Sequence, residues 1–247
     1  MNLTDQFTGK TALVSGAGTG MGAATAQLLA ERGANTVLIG RRAQPLDEVA
    51  ETIQKAGGQA LTVPTDVSDP QALQDAVDRA VERFGALHFA VNNAGVPSES
   101  ADIPDMPLEL WADTLAVNLS AIFYALRAEL PAIAASGGGA VVNVSSVFAD
   151  RALPTRAAYT ASKHGIRGLT RTAAADWAAR GIRINELQPG VIQTPMLDPD
   201  SEEIAAQIPA RRIGGPREIA TAVAFLLSDE ASYVTGAHLA VDGGFLA

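Results

Sequence analysis

Short apolar runs of β type alternate with stretches of helical periodicity along most of this chain, and few folds accommodate that rhythm. Residues 11–15, 35–39, 60–63, 88–91, 140–144, 182–187 and 238–241 read as seven strands. Helical patterns fall between the early ones, at Gly20 to Arg32, Gln44 to Ala56 and Pro70 to Phe84; Gly33 and Gly57-Gly58 stop the first two. Strands separated by helices of this length pair in parallel through right-handed crossovers. The run Ala140-Val-Val-Asn-Val144 does not alternate, as expected of a strand covered on both faces. The expected class is α/β, with a seven-stranded parallel sheet in a single domain over residues 1–247. Residues 193–215 are the least regular part, with three prolines and two adjacent acids. A segment of that length beside a sheet is expected to cover the substrate.

Composition narrows the chemistry. Of the 247 residues 47% are hydrophobic but only 5% aromatic, so the core is aliphatic. A net charge of −9, with no basic cluster beyond Arg41-Arg42 and Arg211-Arg212, argues against a nucleic-acid or anionic-membrane surface. The absence of cysteine excludes disulfides, thiolate metal sites and cysteine nucleophiles, and three scattered histidines argue against any metal site. Residues 1–10 carry no apolar signal core, and no apolar run reaches membrane-spanning length. The expectation is a cytoplasmic protein whose partner is a small molecule.

Ser15-Gly-Ala-Gly-Thr-Gly-Met-Gly22 follows the first strand and opens the first helix. Gly16, Gly20 and Gly22 permit a tight turn, close backbone approach to a pyrophosphate and close packing of helix on strand. The helix start offers free N–H groups and partial positive charge to phosphates. The position favours a dinucleotide, and the lack of a Lys-Ser/Thr ending argues against a nucleoside triphosphatase.

The spacing Gly-x-x-x-Gly-x-Gly resembles the short-chain dehydrogenase/reductase family. Further matches run in family order through Asn92-Asn-Ala-Gly95, Val117-Asn-Leu119, Asn143-Val-Ser-Ser146, Tyr159-Thr-Ala-Ser-Lys163, Pro189-Gly190 with Thr194, and Val241-Asp-Gly-Gly244. The resemblance implies a three-layer, doubly wound Rossmann fold, a homotetramer, and an NAD(P)(H)-dependent oxidoreductase. Reduction of a ketone or aldehyde is the first expectation. Oxidation of an alcohol, or a cofactor-binding sensor without catalysis, are the alternatives; sensors of that kind usually lose the tyrosine or lysine, and both are present here.

The resemblance also assigns roles. Tyr159 is the proton-transferring residue. A free tyrosine, with a pKa near ~10, is a poor base at neutral pH. Lys163, four residues on and so on the same helical face, is expected to stabilise the phenolate and lower that pKa. Ser146 is expected to bind the substrate oxygen, with Ser145 turned to the other side, and Asn118 to support a proton relay to the lysine. Gly16, Gly18, Thr19, Gly20, Met21 and Gly22 line the phosphates. Asp66 and Val67 bracket the adenine, although Asp69 is the better helix cap. Asn92, Ala94, Gly95, Pro189, Gly190, Ile192 and Thr194, with Tyr159 and Lys163, complete the cofactor contacts. Phe148-Ala-Asp150 and Glu186-Leu-Gln188 depart from the family pattern beside the expected pocket. The three histidines and Asp242 read as structural, and the apolar Phe245-Leu-Ala247 as a surface for a partner subunit.

The place where NAD-binding sites carry a carboxylate, at the end of the second strand, holds Gly40, followed by Arg41 and Arg42. Either guanidinium can pair with a 2′-phosphate. NADP(H) is therefore the expected cofactor, with NAD(H) tolerated; Thr19, where many NADP-users carry a base, weighs against it.

Overall fold

A computed structural model describes residues 5–97, 99–197 and 205–247. Strands β1 (Thr11–Ser15), β2 (Asn35–Gly40), β3 (Gln59–Pro64), β4 (Phe89–Asn92), β5 (Gly139–Val144), β6 (Ile182–Pro189) and β7 (His238–Val241) form one sheet in the order β3-β2-β1-β4-β5-β6-β7. Every neighbouring pair is parallel. All seven strands read from the sequence are present, with ends shifted by no more than two residues. The chain winds outward to β3, then crosses back to place β4 on the other side of β1. This reversal leaves a crevice at the carboxyl ends of β1 and β4, where such sheets take ligands.

Helices cover both faces. Helices α1 (Gly20–Glu31), α2 (Ala43–Lys55) and α7 (Pro216–Leu227) bury Leu29, Ile53 and Val223 against Val14, Leu38, Val142 and Leu187. On the other face α3 (Pro70–Phe84), α5 (Ala121–Ala135) and α6 (Ala157–Trp177) bury Val77, Leu126 and Ile166 against Leu13, Val37, Val141 and Ile184. Neighbouring strand residues such as Leu13 and Val14 thus enter opposite cores, the period-two consequence of a strand covered on both sides. Helix α4 (Leu108–Leu115) runs into α5 through a π-helical turn at Ala116–Ser120. Asp69 caps α3, accepting from the N–H groups of Gln71 (2.8 Å) and Ala72 (3.3 Å), ahead of Pro70 in the first turn.

A polar chain crosses the second core. The Asn92 amide donates to Glu129 (3.1 Å) and to Asn143 (3.0 Å), and Asn143 donates to Thr170 (3.0 Å). Glu129 is 1% exposed, and among the described residues its Oε1 has no hydrogen-bond partner. Burial pushes its carboxyl up to about 7, against the smaller opposing pull of Asn92. The folded chain holds this proton up to about pH 7, whereas the unfolded chain releases it near 4.5. Stability drawn from this group therefore falls as pH rises through that window, by on the order of 3 kcal/mol in total. Glu129→Gln removes the titration. Its thermal midpoint relative to wild type should rise between pH 5 and pH 8; a difference independent of pH would show that Glu129 does not titrate there.

Candidate active site

Backbone geometry builds the glycine turn. Gly16 and Gly20 have φ of 66° and 56°, the left-handed region. A Cβ on Gly22 would stand 2.2 Å from the Gly16 carbonyl oxygen, and one on Gly16 would stand 2.8 Å from Asn93 Nδ2. One on Gly20 would press on Thr194 at 3.1 Å, and one on Gly18 on Pro45 at 3.0 Å. The turn is thus bare backbone between the Asn92–Gly95 segment and Thr194. Thr19 starts α1 without a side-chain cap, so no side chain occupies the first N–H groups from that position. Met21 packs on the core behind. This cradle fits a dinucleotide pyrophosphate.

Ser15 and Asn93 also hold the turn in place, and sequence reading gave them no role. Ser15 Oγ accepts from the N–H groups of Asn93 (2.9 Å) and Ala94 (3.0 Å) and donates to the Val91 carbonyl. Asn93 Nδ2 donates to the Ser15 carbonyl at 3.0 Å. Their only signal was position, at the ends of two strands that the topology makes neighbours. Asn92, expected along the cofactor, instead turns its amide into the interior toward Glu129 and Asn143. Gly95 stays close to the catalytic cluster: a Cβ there would meet Asn118 Oδ1 at 3.2 Å and Lys163 Nζ at 3.8 Å.

At the adenosine end, Asp66 accepts from the Ser68 N–H (3.0 Å) and hydroxyl (2.7 Å). These bonds, with help from the Arg41 charge, hold its carboxyl below the usual range. The Val67 side chain is buried in the core. Arg41 and Arg42 are exposed beyond β2. A Cβ on Gly40 would meet only Leu46, at an ordinary 3.6 Å. Pro189 ends β6; Gly190 backs directly onto Asp242, and Ile192 bridges to Gly214.

The four expected catalytic residues converge from three elements. Ser146 lies just past β5 in extended backbone, its Oγ accepting from the Phe148 N–H at 3.2 Å. Tyr159 stands in the first turn of α6, near enough to Ser146 for that hydroxyl to pull its pKa down. Lys163 Nζ lies 5.5 Å from the Tyr159 ring centre and donates to the Val144 carbonyl at 3.3 Å. Asn118, in the π-helical turn, accepts from the Val96 N–H (2.8 Å) and donates to its carbonyl (2.9 Å), tying that turn to the loop after Gly95. The expected lowering of the Tyr159 pKa is not what this geometry gives. Burial pushes the phenol up, more than the Ser146 bond pulls it down, and burial pushes the Lys163 ammonium down to about 8. One buried cation without further positive charge does not outweigh desolvation of the phenolate.

The two family departures meet behind this cluster. Glu186 is buried and accepts from Ser145 Oγ, from Gln188 Nε2 (3.2 Å) and from Arg167 Nε (3.1 Å). Arg167 also pairs with Asp150, which accepts from Gln188 at 3.0 Å. At the chain end, Asp242 accepts from the N–H groups of Gly244 and Leu246, making a turn. Phe245 then packs edge-on against Phe148 at 6.3 Å, with the Arg151 guanidinium 4.8 Å above its ring. The apolar end read as a partner surface thus docks Phe245 on its own chain, beside the serine turn. Among the described residues no cluster of metal-ligating side chains occurs, and no helix is long and apolar enough to cross a membrane.

Known proteins match this arrangement end to end. A family profile described as "Enoyl-(Acyl carrier protein) reductase" matches residues 16–246. Cyclohexanol dehydrogenase of Acinetobacter sp. (strain SE19) is 41% identical over 98% of this chain and 97% of its own. Cis-4-hydroxycyclohexanecarboxylate dehydrogenase of Sinomonas cyclohexanicum is also 41% identical, over 98% and 99%. The crystal structure of carveol dehydrogenase from Mycobacterium avium in complex with NAD superposes with a TM-score of 0.93 at 32% identity, covering 98% of this chain and 99% of that one.

Proposed function

The chain belongs to the short-chain dehydrogenase/reductase family and is an NAD(P)-dependent oxidoreductase of alcohols and carbonyls; on that premise we propose that it interconverts a small cyclic secondary alcohol and its ketone. The observation that carries the chemistry is the convergence of Ser146, Tyr159 and Lys163 beside a bare glycine cradle. A bound nicotinamide dinucleotide supplies the two-electron redox chemistry and, when oxidised, a positive charge. Ser146 holds the substrate oxygen. Tyr159 takes the proton from that oxygen in oxidation and returns it in reduction. Lys163 steadies the phenolate, and Asn118 fixes the loop that meets the lysine. The ring-bearing names of the relatives support a cyclic substrate and favour the oxidative direction; reduction, the first expectation from sequence, uses the same groups in reverse. A sensor role is disfavoured because Tyr159 and Lys163 are both in place.

Gly16, Gly18, Thr19, Gly20, Met21, Gly22, Thr194 and the 189–192 segment would hold the phosphates and nicotinamide end, with Asp66 and Val67 on the adenosine side and Ala94 and Gly95 lining the cofactor between; Asn92 would contribute by main chain. Exposed Arg41 and Arg42 support NADP(H) over NAD(H). Residues 193–215 cover the substrate in this reading, although 198–204 lie outside the described residues; Pro209 and Ala210 rest on Gly243 and Gly244. A homotetramer in the cytoplasm, each chain one domain, completes the reading. It is supported by an apolar groove where α5 presents Phe123 and Tyr124 beside Gly165 and Gly168 of α6, with Leu108 and Trp111 exposed on α4.

Tyr159→Phe should lower turnover of cyclic alcohols by ~10²–10⁴-fold while nucleotide still binds. Activity close to wild type would show that another group moves the proton. On the cofactor, wild-type kcat/KM should favour NADPH over NADH, and Gly40→Asp with Arg41→Ala should invert the ratio; the Gly40 position has room for the new side chain. A wild-type preference for NADH would remove Arg41 from the 2′-phosphate site. Light scattering at micromolar concentration should give four times the chain mass, and a monomer mass would refute the tetramer.

A further inference from the structure

Glu186 has no part in the chemistry assigned above, yet it is a charged group 1% exposed, at the strand register that abuts the catalytic residues. On β6 it stands opposite Asn143, and Leu187 opposite Val144, whose carbonyl receives Lys163. Its carboxylate joins three segments. Ser145, the neighbour of Ser146, donates to it; Arg167, one turn beyond Lys163 on α6, donates to it; Gln188 on its own strand bridges it to Asp150, past the serine turn. Tyr159, Lys163 and Arg167 are spaced at four-residue intervals along α6, and the Arg167 end of this row reaches the carboxylate.

We propose that Glu186 is a positioning residue of the active site: it locks the end of the serine strand to the Tyr159 helix and supplies Lys163 with a fixed negative partner charge, balanced by Arg167. This rests on the catalytic reading of Tyr159 and Lys163. A buried carboxylate that merely held strands together would need its hydrogen bonds but not its charge. Glu186 acts on the lysine through charge, opposing the desolvation that brings its ammonium down to about 8. The other titratable groups facing this lysine are few. Tyr159 and Arg167 lie on its own helix, and Asp150 acts through Arg167 and feels His238 on β7. The π-helical turn presents neutral Asn118.

The chain has three lysines, Lys10, Lys55 and Lys163, so lysine side-chain NMR resolves Lys163 directly and without turnover. Glu186→Gln keeps acceptor capacity and loses the charge. The Lys163 titration midpoint, near 8 in the wild type, should fall, because the buried ammonium loses an opposite charge. The alkaline limb of kcat/KM for alcohol oxidation should fall with it. Arg167→Gln releases the carboxylate from its cation and should move the same midpoint upward; should Glu186→Gln not fold, this variant decides alone. Glu186→Asp should restore the wild-type direction. A Lys163 midpoint unmoved in a folded variant overturns the proposal. If the NMR midpoints move as expected but Tyr159→Phe retains activity, the catalytic reading fails and the charge coupling stands.

Discussion

The close approach of two strand ends governs the rest of this molecule. Strands β1 and β4 are 76 residues apart at the Ser15 to Val91 hydrogen bond, yet they lie side by side where the winding of the sheet reverses. Their connections leave in opposite directions, the arrangement that opens a crevice at the strand ends. Backbone must then come within van der Waals distance of backbone, and Gly16 and Gly22 are the residues that permit it. Ser15 fixes the distance by accepting two N–H groups from the opposing loop. A dinucleotide cradle and a catalytic cluster on β5 and α6 are both consequences of where this reversal falls.

Two buried carboxyl groups of this protein meet different partners. Glu129 has one amide donor and an unpaired oxygen, so desolvation wins and the neutral acid is favoured. Glu186, equally buried, has three donors, one of them a guanidinium. Tyr159 shows the same balance unfinished. Its phenol remains above its ordinary value because burial exceeds what Ser146 contributes. An oxidised nicotinamide bound beside it would add positive charge and favour the phenolate.

Much of this was legible in the sequence, for physical reasons. The seven strands could be read because a parallel strand buried on both faces is a short unbroken apolar run. The Asp69 cap and the glycine stops announced helix ends through local chemistry. The cradle was legible because only glycine meets its backbone demands. What sequence missed was non-local. Asn92 looks like a cofactor residue by motif, but its orientation is set by Glu129, 37 residues away, and by Asn143. The Phe245 contact with Phe148 spans almost a hundred residues, and nothing near the chain end signals it. The upward push on the tyrosine pKa was not legible because charge spacing along a helix is visible in sequence and desolvation is not.

The same division explains why chemistry is easier to read than substrate. Ser146, Tyr159 and Lys163 stand on or directly beside regular elements whose geometry follows from local periodicity, so residue spacing carries their arrangement. In the proposed reading the surfaces that meet the rest of a substrate belong to Phe148, the turn at 150–156 and, among the described residues, 205–215. Their shapes depend on distant anchors: Phe245 on Phe148, Arg167 on Asp150, and Gly243-Gly244 beneath Pro209 and Ala210. Each anchor is a tertiary contact free to change without disturbing a strand or the glycine turn. A fold built this way holds its reaction constant on the rigid part while substrate choice varies on the tethered part. Glu186 sits at the join, reaching toward the lysine on one side and, through Arg167 and Gln188, toward Asp150 on the other. Under the role proposed for Glu186, a change in the 148–151 turn would reach the proposed proton-transfer pair through this carboxylate without touching Tyr159 itself.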